Sequence, residues 1–236
     1  MPRYLFNPFT ILMLVILTAI VLLLLPLLFL SLIGTAFLKL GFSWREILIL
    51  FFFIFLGSFI NIPVTTLRGA PVTIRVDEFP FFGRFYQFQE YTPRTTVSIN
   101  MGGAVIPVLI SLILLYDAAM MLGNVSIIIL SLAGSGVVTI IVHHVARPVP
   151  GLGIVTPFFV PPASALLCGL ILSSWTSDPL AAAIIAYVSG TLGTLIGADL
   201  LNLHRIREIG TPMVSIGGAG TFDGIFLSGI IAALLA

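Results

Sequence analysis

The sequence predicts an all-α polytopic membrane protein of about seven transmembrane helices, with a small cytoplasmic β-hairpin between helices 2 and 3. Three observations carry this reading. The 236-residue chain is 59% hydrophobic and 8% charged, where soluble domains run near roughly 45–50% and about 25%. Apolar runs of about 20 residues, the length that crosses a hydrocarbon core, recur along it. The basic residues between those runs fall mostly on one side. Residues 1–236 read as a single transmembrane domain, with residues 65–99 inserted as the cytoplasmic hairpin.

The first apolar run, Phe9 to Leu38, predicts one tilted helix, kinked at Pro26, or two re-entrant pieces, so the span count carries an error of one. MPRYLFNPF lacks a small-residue cleavage site, which predicts a retained first helix. The second span is expected over Ile47 to Val64. In the connection that follows, Val72, Ile74 and Val76 alternate with Thr73, Arg75 and Asp77, and TTVSIN alternates again, which is the period of a strand. FPFFGRFYQF fits an aromatic belt at the headgroups, or an exposed strand edge onto which an extended segment could add. The third and fourth spans are expected over Met101 to Leu122 and Ser126 to His143. ARPVPGLGIVTPFFVPP has five prolines in 17 residues, so the fifth span, Val155 to Ser174, is expected to enter irregularly. Non-helical backbone at that depth must be covered by protein or line a wet cavity. The sixth and seventh spans are expected over Ala181 to Leu203 and Met213 to Ala236.

With seven spans, Arg3, Arg68, Arg75, Arg84, Arg94, Arg147, Arg205 and Arg207 share one side and only Lys39 and Arg45 the other. Eight against two places the N-terminus in the cytoplasm and the C-terminus outside, in a multi-pass protein of the cell membrane. Splitting the first span leaves the bias at seven against three. A net charge of +1 gives no reason to expect nucleic acid. The expected partners are membrane lipids and transmembrane-protein substrates, no cofactor is implied, and oligomeric state stays open. The single Cys168 excludes an internal disulfide and reads as a packing residue.

Two stretches resemble each other. GSFINIPV at Gly57 aligns with GTLIGADL at Gly193, and VSINMGGAVIPVLIS with VSIGGAGTFDGIFLS, in the order of a parallel duplication. The second copy carries Asp199 and Asp223 where the first carries Pro63 and Val108.

Those aspartates are the leading site candidates. An ionised aspartate near a membrane-helix centre is unfavourable by about 2.5–3.5 kcal/mol, so something must compensate it. Asp199 lies four residues before Leu203, roughly 6 Å from the expected helix end. Asp223 follows GGAGT, and unwinding at those glycines leaves it about one turn inside the seventh helix at a similar depth. Both then face one cytoplasmic-side cavity, unless each is a packing contact paired with Ser, Thr, His or Arg. Gly197, Gly217, Gly218 and Gly220 flank the pair, and Asn100, His143, His144, Arg147 and Asn202 gather at the same membrane face as supporting groups. His143 and His144 fit either interfacial positions or a metal set with Asp199 and Asp223; adjacent helical histidines diverge by about 100°, which disfavours shared ligation.

INIPV, NMGGAVIPVLIS, ARPVPGLGIVTPFFVPP, SGTLGTLIGADLLNL and SIGGAGTFDGIFLSGIIA together resemble an uncharacterised family of prokaryotic integral membrane proteins, the domain of unknown function DUF1614, from about Gly57 onward. That resemblance implies no activity. A second likeness is to the presenilin and signal-peptide-peptidase class of intramembrane aspartyl proteases. GAD at Gly197 to Asp199 is similar to its GxGD motif without the second glycine, and FD at Phe222 and Asp223 is similar to its YD motif in reversed order. Its PAL motif has no counterpart after Asp223.

Three functions follow from the residues. In an intramembrane diaspartyl hydrolase, two adjacent carboxyls share a proton and divide acid and base roles. A proton- or cation-coupled transporter would use the same aspartates as carrier groups beside broken helices. A non-catalytic membrane assembly protein would use them for packing. The almost wholly apolar outer halves of the sixth and seventh spans favour the hydrolase.

Overall fold

The computed structural model describes residues 8–68, 72–78, 85–91, 94–149, 153–208, 211–218, 220 and 223–236, with backbone alone for residues 8, 72–78, 85–91, 207 and 208. The chain is mostly helical: among the described residues there are seven α-helices and three small sheets. Four helical segments are long and apolar enough to cross a membrane, Phe9–Lys39, Met101–Met120, Val125–Val145 and Ala181–Leu200.

Helix α1, Pro8–Lys39, is one continuous helix with Pro26 inside it. Residues 9–28 are exposed on every face, and burial begins only with Ile33, Ala36, Phe37 and Leu40. That spacing of three, one and three is one helical stripe. It packs on α7, Gly224–Leu235, and Lys39 Nζ donates to the Leu234 carbonyl at 2.7 Å, supplying a cation to the last turn of that helix. Helix α2, Trp44–Gly57, opens on a capping box: the Ser43 backbone N–H donates to Glu46 Oε2 at 2.7 Å while the Ser43 hydroxyl faces the Glu46 N–H.

The expected second span is too long. Helix α2 stops at Gly57, and Asn61–Arg68 is strand β1. The residue before Pro63 is pushed out of helical conformation, and the β-branched Val64, Thr65 and Thr66 favour extension. β1 pairs antiparallel with β4, Arg94–Asn100, from Asn61↔Asn100 to Arg68↔Arg94, with a register shift between Pro63 and Thr65. Between them β2, Val72–Glu78, and β3, Phe85–Tyr91, form their own antiparallel pair. The predicted hairpin is therefore present and longer than expected. The aromatic-belt reading of FPFFGRFYQF, and Arg3, Arg84 and Phe222, fall outside the described residues or side chains.

Asn100 then turns the chain inward. Its Oδ1 accepts the Gly103 N–H at 2.8 Å, capping a π-helical turn, Met101–Val105, that runs into α3, Ile106–Met120. Its Nδ2 donates to the Ser58 carbonyl at 2.8 Å and to Asn61 Oδ1 at 3.1 Å, tying the end of α2 to β1. Helix α4, Val125–Val145, leads to a short hairpin of β5, Arg147–Val149, and β6, Gly153–Val155. The proline-rich entry is thus strand and turn, and α5, Val160–Ser173, begins later than expected, with Pro161 and Pro162 in its first turn where missing donors are tolerated.

Helix α6, Ala181–Thr194, continues as a second π-helical turn, Leu195–Leu200, followed by the 3₁₀ segment Leu203–Glu208. The seventh expected span also shortens: Met213–Ile216 is strand β7, and α7 starts only at Gly224. β7 lies parallel to β4, with Val97↔Val214, Ser98↔Ser215 and Ile99↔Ile216, so the two VSI triplets sit side by side in register. The first halves of the two similar stretches differ, since GSFINIPV leaves the helix for a strand while GTLIGADL stays helical.

Helix α6 is the centre of the bundle, packed against α4, α5 and α7, and every residue from Ala183 to Thr191 is buried. Gly190 makes this possible: a Cβ there would lie 2.8 Å from the Ser228 carbonyl oxygen, so α6 and α7 approach backbone to backbone. The sheet β1-β4-β7 and the β5-β6 hairpin sit where α2, α4 and α6 end and α3, α5 and α7 begin.

Candidate functional site

At that end of the bundle lies a cavity of about 420 Å³. Four elements build it: the end of α6 and its π-turn with Thr194, Ala198 and Asp199; the start of α7 with Asp223, Gly224, Leu227 and Ser228; β6 with Gly153 to Val155; and β7 with Met213 to Ser215. Phe158, Pro161 and Pro162, at the α5 entry, close another side, so the proline-rich stretch does form a cavity wall.

Both aspartates reach this cavity and are near enough to interact electrostatically. Their settings differ from the expectation. Asp199 stands in the last π-turn, one residue before its end, instead of four residues inside a longer helix. Asp223 is the N-cap of α7 and not a residue one turn within it: its Oδ1 accepts the Ile225 N–H at 2.9 Å. The helix begins after the GGAGT stretch, so the carboxylate serves the helix end and the cavity at once.

The π-turn matters to the geometry. Its i→i+5 bonding places residues five apart on one side, and Thr194 joins Asp199 in the cavity wall. Thr194 Oγ1 donates to Ser228 Oγ at 3.0 Å, and Ser228 Oγ donates onward to the Gly190 carbonyl at 2.8 Å. Sequence reasoning missed Thr194, Ser228, Thr156, Thr211 and Ser215. Hydroxyls are common in membrane helices, and only the Gly224, Leu227, Ser228 spacing on the seventh helix offered a signal.

Of the supporting residues, Gly217 and Gly218 line the cavity, whereas Gly197, Gly220, Asn100, Asn202, His143, His144 and Arg147 do not. Gly220 packs against Ser58, and Gly197 packs against the Thr139 backbone of α4. Asn202 is a structural pin, with Nδ2 2.9 Å from the Gly197 carbonyl, 3.0 Å from the Ala198 carbonyl and 3.2 Å from His143 Nδ1. His143 Nδ1 accepts in that last contact. His144 Nδ1 instead donates back to the Ile140 carbonyl at 2.8 Å, and the two rings meet edge to face at 6.0 Å. Arg147 is exposed on β5. Among the described residues no three His, Cys, Asp or Glu side chains come close enough to hold an ion. The alternative metal set of His143, His144, Asp199 and Asp223 is therefore not assembled, because the histidines are turned to α4 and Asn202.

A protein-family profile described as Protein of unknown function (DUF1614) matches residues 55–235. No curated protein and no solved structure matches the chain, and the presenilin likeness finds no support.

Proposed function

The chain belongs to the DUF1614 family, and from that premise, which assigns no chemistry, we propose that it is an intramembrane diaspartyl hydrolase acting on membrane-embedded polypeptide segments near the cytoplasmic face. The observation that carries the proposal is the convergence of Asp199 and Asp223 on one cavity of about 420 Å³. In this reading α2, α5 and α7 cross the membrane with the four longer helices, giving seven spans, and the sheet end faces the cytoplasm, where the arginines collect.

The chemistry needs no group beyond the chain and water. An N-cap carboxylate works as an acceptor, so Asp223 takes the base role and removes a proton from water. The water oxygen bonds to the scissile carbonyl carbon, and Asp199, as acid, gives its proton to the developing oxyanion. Collapse of the tetrahedral intermediate breaks the C–N bond, and the amine leaves with a proton relayed through the pair. The Thr194 and Ser228 hydroxyls, their protons engaged by Ser228 Oγ and the Gly190 carbonyl, hold the α6–α7 side of the same wall in place.

One observation favours the rival coupled transporter. Thr191 and Tyr187 continue the polar line of Thr194 deeper along α6, at spacings of three and four, with both hydroxyls buried and turned to each other. Beyond them Ala181 to Ile185 are apolar, which blocks a continuous route.

The test is cleavage of a panel of single-span proteins by protein in liposomes, beside a pH-gradient flux assay. Asp199→Asn and Asp223→Asn each abolish cleavage, and the double variant is little worse than either single, because a dyad acts as one unit. Full activity in both single variants, in whichever assay responds, rules out the dyad.

A further inference from the structure

The cavity is bordered by a strand edge to which no other strand is added among the described residues. The sheet order β1-β4-β7 makes β7 an edge, and among the described residues no strand pairs with its outer side. Which backbone groups point outward follows from the ladder. The Thr96 N–H donates to the Pro212 carbonyl at 2.9 Å, and Thr96 stands opposite Met213. In a parallel pair the bonding groups alternate along each strand, so Val214 turns its N–H and C=O toward β4. Met213 and Ser215 then turn theirs away from β4, and both residues line the cavity; the Ser215 carbonyl already accepts the Gly218 N–H at 3.1 Å, which leaves both groups of Met213 and the N–H of Ser215 for another strand. Successive outward groups two residues apart repeat every ~6.6 Å, the period of an extended chain.

The neighbouring wall suits the same occupant. β6 belongs to a two-stranded hairpin that approaches β7, where a Cβ at Gly153 would lie 3.9 Å from Val214 Cγ1, and Gly153, Ile154 and Val155 line the cavity together with apolar Phe158 and Leu227. A helical substrate has its backbone groups bonded internally and cannot pair with an edge, and its scissile carbonyl is covered by its own turn. An extended one satisfies β7 and exposes that carbonyl to the carboxyl pair.

We infer that the ligand of this cavity is an unwound, extended stretch of a membrane polypeptide, which adds to the outer edge of β7 as a fourth strand through the N–H and C=O of Met213 and the N–H of Ser215. The inference rests on the hydrolase reading for what happens to the bound segment, but strand addition itself is a binding event and can be read without turnover.

The probe is a synthetic Leu/Ala single-span peptide of about 20 residues, interrupted by one Gly-Gly pair and carrying ¹³C carbonyls at that pair. It is mixed in vesicles with the full chain bearing both Asp199→Asn and Asp223→Asn, and the isotope-shifted amide I band is recorded. The labelled carbonyls are expected to move from a helical or disordered band to a strand band. Adding Met213→Pro, which removes an outward N–H while leaving the β4 ladder its bonds, abolishes the shift, and Met213→Ala keeps it. Peptide N-methylated at alternate residues around the Gly-Gly pair also fails to shift against the unaltered β7, which covers the case in which Met213→Pro does not fold. For the native protein, the same N-methylation slows any cleavage by about tenfold, the loss of one or two hydrogen bonds. A strand band with no cleavage by native protein keeps this inference and removes the hydrolase. Cleavage without a strand band, or a band indifferent to both Met213→Pro and N-methylation, overturns strand addition and leaves the carboxyl pair standing.

Discussion

Thr194 and Ser228 share a hydrogen bond of 3.0 Å across the α6–α7 interface, inside the wall that carries Asp199 and Asp223. The two residues are not equivalent in that bond. Thr194 donates only to Ser228, while Ser228 also reaches the Gly190 carbonyl at 2.8 Å and the Ile225 carbonyl at 3.0 Å. Thr194→Val therefore orphans nothing and is predicted to lower stability by about 0.5–1 kcal/mol. Ser228→Ala strands the Thr194 hydroxyl in the core and is predicted to cost about 1–3 kcal/mol. Thermal unfolding in detergent ranks them; equal losses would mean that Thr194 finds another acceptor.

Gly217 is predicted to tolerate no side chain. Its φ is +70°, and a Cβ there would lie 2.7 Å from the Ala104 nitrogen and the Gly103 carbonyl carbon. Gly217→Ala combines left-handed strain with a backbone clash and should destabilise by about 2 kcal/mol or more. Gly224→Ala, a few residues on, meets nothing within 4 Å at the first position of α7. It should be neutral or stabilise by about 0.4–1 kcal/mol. Melting temperatures that fail to separate the two variants count against the close β7–π-turn approach.

The start of α2 is predicted to respond to acid. The Ser43 backbone N–H, and after it the Ser43 hydroxyl, hold the Glu46 carboxyl below its ordinary value of 4.5. A depressed folded value means the contribution is complete above about pH 4.5 and disappears as pH falls through the lower folded value. Amide exchange at the first turn of α2 should differ between native protein and Glu46→Gln at neutral pH and converge in acid. A difference that persists unchanged at low pH rejects the charged capping box.

The two ends of the bundle are predicted to lie on opposite sides of the membrane. Arg94 is exposed on β4 at the sheet end, and Ser177 is exposed between α5 and α6 at the other. In a Cys168→Ala background, a cysteine at 177 should label with an impermeant maleimide added to intact cells, and one at 94 only after lysis. The reverse pattern inverts the orientation, and labelling of both refutes the barrier.

The helical bundle was legible in the sequence because apolar length is a coarse signal that survives local irregularity. Its ends were not. INIPV and MVSI are apolar strands that abut apolar helices, and hydropathy does not distinguish one from the other, so the second and seventh spans came out too long. That Asp199 and Asp223 line one cavity was readable because a carboxylate in such surroundings demands compensation. The partnership of Thr194 with Asp199 was not, since an offset of five residues faces one side only where the helix widens into a π-turn. Asn100 and Asn202 were read as site residues on position alone. A better clue for Asn100 was local: an asparagine just ahead of MGG is a helix cap.

The parallel register of Val97 with Val214 also orders events in time. The bonded residues are separated by 116 positions at Thr95 and Thr211, and α3 to α6 lie between them. A contact that closes so long a loop forms only after the intervening helices are placed, since the closure entropy has to be offset by their packing. β7 and α7 are also the last described elements to leave the ribosome. The cavity walls they provide are consequently the final part of the site to be assembled, so a partly synthesised chain carries Asp199 with no partner carboxyl and no edge strand. Stalled-chain proteolysis, with chains released before and after residue 216, should show protection of β4 beyond that of its β1 ladder only in the longer ones.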